Sequence, residues 1–86
     1  MLVVGVVKDP SGKPVAGARV YFTAGPGGLP DIAALTDASG AFTLTAPGAG
    51  DYQLGAAAEG YATASVSVAV RSGEDARVTI VLLRNP

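Results

Sequence analysis

The sequence contains no cysteine, no histidine and no tryptophan. Without cysteine there is neither a disulfide framework nor a thiolate metal site. Without histidine, no Ser-His-Asp or Cys-His relay can be assembled, and a zinc peptidase centre lacks its usual ligands. Charge of either sign is also scarce: 6 basic and 7 acidic residues give a net charge of −1, and neither sign forms a run. Nucleic-acid binders carry a basic stripe and stacking aromatics. Two Phe and three Tyr with no such stripe exclude nucleic acid as the expected partner. No apolar run approaches the roughly 18 residues that cross a bilayer. The opening "MLVVGVVKDP" lacks a basic leader, its apolar run is short, and a turn-forming "DPSG" follows where a cleavage site would stand. It reads as a first strand, so the chain as written predicts a cytoplasmic protein, or a fragment of an exported one.

What is present points to β structure in one domain, residues 1–86. A chain of this length buries roughly 60–65% of its unfolded surface, enough for a modest core without staples. Apolar residues recur with period 2 rather than 3.6. Val20 and Phe22 oppose Arg19, Tyr21 and Thr23; Phe42 and Leu44 alternate with Thr43 and Thr45; Val66, Val68 and Val70 alternate with Ser65, Ser67 and Ala69. Near the end, Val78, Ile80 and Leu82 oppose Thr79, Val81 and Leu83. Turn signals interrupt these runs at "DPSGKP", "GPGGLP", "DASG", "PGAGD", "AEG" and "RSGED". The spacing predicts seven strands near 2–8, 18–23, 32–36, 41–45, 52–58, 63–70 and 76–83, in an antiparallel β-sandwich. "LVVGVVK" is apolar on both faces, which suits a central strand or a strand whose outer face meets a partner. "DIAALTDA" and "LGAAAEG" contain good helix formers but are too short for a stable helix, which leaves a single helical turn at "PDIAAL", where Pro30 and Asp31 suit the first helical positions.

The turn residues have roles of their own. Gly12 and Gly40 supply positive φ in tight turns. Asp9 and Asp37 accept turn N–H bonds. Pro14 and Pro47 pre-set φ near strand starts. Tyr52 and Tyr61 bury their rings and leave the hydroxyl at the rim.

Several stretches together resemble the carboxypeptidase regulatory-like domain: "GVVKDPSGKPVAGARV", "TDASGAFTL", "PGAGDYQL", "AEGY" and the closing "VTIVL". That family belongs to the transthyretin-like (prealbumin-like) Greek-key sandwiches and is close to Cna-B-type repeats. The resemblance covers about residues 3–83. It implies an accessory module of the kind attached to peptidases, transporters, adhesins and surface proteins. The related purine-pathway hydrolases rely on His, and the intradiol dioxygenases bind iron with Tyr and His, so neither activity is expected here. A Lys–Asn isopeptide staple of the Cna-B kind is not expected either. Val6 or Val7 stands where its Lys should be, Lys8 lies at the strand's end, and Asn85 follows the last strand. Starch-binding relatives use exposed Trp platforms, which this chain lacks.

Two surfaces could carry recognition. The stretch "GPGGLPDIAAL" is longer and richer in Gly than the family's second connection. Gly27, Gly28, Leu29, Pro30 and Asp31 either form a recognition tip on a rigid sandwich or only connect two strands. In the last strand, Val81 and Leu83 either form an exposed apolar strip or lie beneath the N-terminal strand. The alternating course of an antiparallel sandwich gathers Asp31, Asp51, Glu74 and Asp75 at one end, with Arg71 nearby. This is a weak candidate for a Ca²⁺-type oxygen site, against the ordinary role of acidic loops in keeping a β protein soluble. The expectation is therefore a non-catalytic binding or scaffold module with a protein partner, no cofactor and no resident metal. A homodimer through strand edges is left open. The alternative is a carbohydrate- or Ca²⁺-dependent ligand-binding domain.

Overall fold

The computed structural model describes residues 1–27 and 33–85. Seven strands follow one another: β1 (Leu2–Lys8), β2 (Arg19–Ala24), β3 (Ala34–Leu35), β4 (Ala41–Thr45), β5 (Gly50–Ala57), β6 (Ala64–Val70) and β7 (Ala76–Val81). They form a three-stranded sheet in the order β4-β1-β7 and a four-stranded sheet in the order β3-β2-β5-β6. The β-branched and aromatic content of each run favours a pleated, half-buried surface. The turn residues set where each run stops. The expected helical turn at "PDIAAL" falls partly on residues outside the described ones, and Ala34–Leu35 are strand.

One pair departs from the antiparallel expectation. β1 and β7 run parallel, with Val4 beside Arg77 and Lys8 beside Val81. The reason is parity. Each tight connection reverses the chain, so the first and seventh strands point the same way, and they become neighbours when the last strand returns to the first sheet. All other pairs join an odd to an even strand and are antiparallel.

The period-2 faces meet between the sheets. Val3, Val7, Val20, Leu54, Ile80 and Leu82 are fully buried there, with Tyr52 tilted against Phe22 at 5.1 Å between ring centroids. Gly5 stands opposite Phe42 in the β1–β4 ladder, and the Phe42 ring occupies the space a Cβ would take, at 2.9 Å. On the outer face of the larger sheet the Tyr21 ring covers Gly55 in the same manner. A bulge at Thr23 shifts the register of β2 between Phe22 and Ala24.

Candidate interaction surfaces

One end of the sandwich is closed by polar bonds that the sequence places in duplicate. Asp9 Oδ1 accepts from the Ser11 amide (2.9 Å), the Ser11 hydroxyl (2.7 Å) and the Lys13 amide (3.0 Å). Asp37 Oδ1 accepts from the Ser39 amide (2.9 Å), the Ser39 hydroxyl (2.8 Å) and the Ala41 amide (3.0 Å). The repeated Asp-x-Ser-Gly spacing thus builds the same turn twice, with Gly12 at φ 90° and Gly40 at φ 76°. The buried Thr36 hydroxyl lies between the loops, accepting from the Ala18 amide (2.9 Å) and donating to the Val15 carbonyl (2.7 Å). Arg84 reaches Asp9 at 3.6 Å and lies over the Tyr61 ring at 5.6 Å, pinning the last residues to this end.

These bonds make the turns sensitive to acid. The Ser11 hydroxyl, then the Lys13 and Ser11 amides and Arg84, hold the Asp9 carboxyl below its ordinary value against the opposing effect of desolvation. The Ser39 hydroxyl, then the Ala41 and Ser39 amides, do the same for Asp37. A carboxyl lowered in the folded state contributes stability that is fully present above its unfolded pKa, about 3.9. That contribution is lost as the pH falls through the lower folded value. The melting temperature is expected to fall as the pH drops from 5 to 2. In the Asp9→Asn/Asp37→Asn double variant, which keeps an acceptor oxygen but cannot titrate, the fall should be shallower. Thermal melts across that pH range check this; equal slopes would remove the two turns as its source.

At the opposite end, the glycine- and proline-rich stretch begins packed rather than free. Pro26 sits where a Cβ on Gly50 would lie, at 2.6 Å. The exposed Gly27 borders a shallow cavity with Pro26, Pro47 and Tyr52. Tyr52 is buried to its hydroxyl, which donates to the Gly48 carbonyl at 2.8 Å. Gly28, Leu29, Pro30 and Asp31 lie outside the described residues. Of the acidic candidates, Asp51, Glu74 and Asp75 are exposed. Among the described residues, no group of three or more His, Cys, Asp or Glu comes together in a way that could hold a metal ion.

The last strand resolves into two parts. Val81 and Leu83 are both exposed, at 44% and 62%, so neither lies beneath the N-terminal strand. They do not form one strip along β7, however. The strand ends at Val81, and Leu83 lies beyond it, beside the loop before β6, where its carbonyl accepts the Ala62 amide at 2.8 Å.

Val81 belongs to a different surface, the outer face of the three-stranded sheet. β1 is central there, as its two apolar faces suggested. Val3 and Val7 point into the core, whereas Val4 and Val6 are only half-buried and face outward. They floor an open trough of about 450 Å³, flanked by Ala41 and Thr43 on β4 and by Arg77 and Thr79 on β7. Leu2, 38% exposed, continues it at one end. The outer face of a sandwich sheet ordinarily carries polar side chains, and here its central strand presents two valines instead.

Residues 3–83 match the carboxypeptidase regulatory-like domain. The chain belongs to that family. Among curated protein sequences, none matches it. Among solved structures, chains of two type II cohesin–X–dockerin complexes from Acetivibrio cellulolyticus share the fold. A C-terminal interface mutant aligns with a TM-score of 0.68 at 20% identity, over 95% of this domain and 56% of that chain. An N-terminal interface mutant aligns at 0.70 and 17%, over 98% and 58%. The carboxypeptidase regulatory-like domain thus spans little more than half of either chain. The 5-hydroxyisourate hydrolase of Klebsiella pneumoniae aligns at 0.69 and 19% identity, over all of this domain and 93% of that chain. The transthyretin-like sandwich is common to all three.

Proposed function

We propose that this domain is a non-catalytic protein-binding module that positions a larger assembly. The observation that carries the reading is the outer face of the β4-β1-β7 sheet, where a central strand leaves Val4 and Val6 half-covered in an open trough. A rigid sheet face that mixes half-buried valines with Thr43, Thr79 and Arg77 suits surface complementarity with another protein. The fold relatives from cohesin–X–dockerin complexes support the reading by analogy of fold. The hydrolase relative shares the architecture. A His-dependent hydrolysis has no candidate here, because the chain contains no His.

The test is affinity capture from the lysate of the source organism with three folded baits: the intact domain, a Val4→Lys/Val6→Lys variant, and a variant with residues 25–30 replaced by a short Gly-Ser turn. A partner retained by the loop variant and lost by the valine variant is the expected result. A partner lost only with the loop variant would move recognition to the glycine- and proline-rich stretch. Turnover of 5-hydroxyisourate by the purified chain would overturn the non-catalytic reading.

A further inference from the structure

We propose that the outer face of the β4-β1-β7 sheet receives an acidic amphipathic helix of a partner protein, an inference that rests on the reading of the domain as a protein-binding module. Three features select that occupant. First, the strands of the face carry charge of one sign. Strand alternation puts Lys8 and Arg77 on it, together with Val4, Val6 and Val81, and none of its three strands contributes a carboxylate. The nearby Asp9 and Asp37 are held in their own turns, and Asp75 stays in the loop before β7.

Second, the cations bracket the apolar floor. Arg77 lies beside Val4 and Lys8 beside Val81, four positions further along the parallel ladder. At about 3.3 Å per residue the two are roughly 13 Å apart along the strands. On a helix, residues seven or eight apart are separated by about 10–12 Å of rise and face nearly the same way. Two carboxylates at that spacing, either side of an apolar stripe, would meet the two cations while the stripe covers the valines. Third, the width fits. Three strands span about 10 Å between the outer strand axes, close to the diameter of one helix. A helix laid on the open face of a sheet is also one of the standard layer arrangements that bury such a face. A second copy of this face fits poorly, because it would bring Lys8 and Arg77 of both copies together without counter-charge.

The probe is a synthetic Ala/Leu helix carrying two Glu at that spacing, compared with the same peptide carrying two Lys, by fluorescence anisotropy at low salt. The Glu peptide should bind roughly tenfold more tightly than the Lys peptide, and the preference should shrink as salt is raised. In the Lys8→Glu/Arg77→Glu variant, confirmed as folded by its melting curve, the preference should reverse. Equal binding of both peptides, or a preference unchanged by the charge reversal, would overturn the proposal. So would self-association of the intact domain abolished by Val4→Lys, or binding to anionic lipid vesicles in place of the peptide. Capture of one partner from lysate by both the intact domain and the charge-reversed variant would sink this docking site while leaving the protein-binding reading intact.

Discussion

Gly5→Ala is expected to lower stability by about 3 kcal/mol, at the upper end for overpacking a core. For a domain of this size that corresponds to a melting temperature roughly 15 °C lower. Gly5 lies in the central strand, and a Cβ there would run into the Val78 carbonyl of the neighbouring β7 and into the Phe42 ring at 2.9 Å. The two obstacles differ in kind. The ring is a side chain and can be trimmed. The carbonyl is backbone in a ladder and can move only if β7 moves. Phe42→Leu in the Gly5→Ala background should therefore recover only part of the loss, and Gly48→Ala, where nothing lies within 4 Å, should be close to neutral. Circular-dichroism melts of the variants check this. A Gly5→Ala domain as stable as Gly48→Ala would mean that β1 and β7 are not locked at this register.

Thr36→Val is expected to cost about 2–6 kcal/mol, although it preserves shape. The hydroxyl satisfies two buried backbone groups, the Ala18 N–H and the Val15 carbonyl. Valine would leave both without a partner, at about 1–3 kcal/mol each. Thr36→Ser keeps the hydroxyl and loses one methyl, a change of about 1 kcal/mol. The ordering wild type, Ser, Val in urea-denaturation midpoints is the expected result. Equal midpoints for Ser and Val would show that methyl packing, not the hydroxyl, holds the loop. The Thr36 backbone also bonds Gly17 and Ala18, so the damage should spread through residues 15–18 and be visible as faster amide exchange there.

Some of this was legible in the chain and some was not, for identifiable reasons. The duplicated Asp-x-Ser-Gly turns could be read because every hydrogen bond that closes them on the carboxylate comes from within four residues, whereas the Arg84 contact to Asp9, from the far end of the chain, could not. The role of Thr36 could not, because its partners lie 18 and 21 positions away and a lone Thr beside a turn carries no signal. Nothing marks Gly5 within its apolar run, because the Phe42 ring that requires it comes from another strand. The two apolar faces of "LVVGVVK" suited a central strand, one of the two readings they allowed, and β1 is central. Val81 and Leu83, paired by alternation, differ because β7 ends at Val81 and Leu83 bonds the loop before β6, a partner period-2 reading cannot detect. The acidic candidates were grouped by the alternating course of the chain, and that course does not say how near their carboxylates come.

By itself the sequence determined the number of strands, their approximate limits, the faces that enter the core and the absence of histidine- and cysteine-based chemistry. These follow from local rules: side-chain alternation, turn-residue conformation and side-chain inventory. Tertiary structure decided the rest. It made β1 and β7 parallel neighbours, left Val4 and Val6 half-covered on the face that carries Arg77 and Lys8, and made one threonine hydroxyl the tie between two loops. Each of these depends on which distant strands come to lie side by side, and that is set by packing of the whole core rather than by any short stretch of chain.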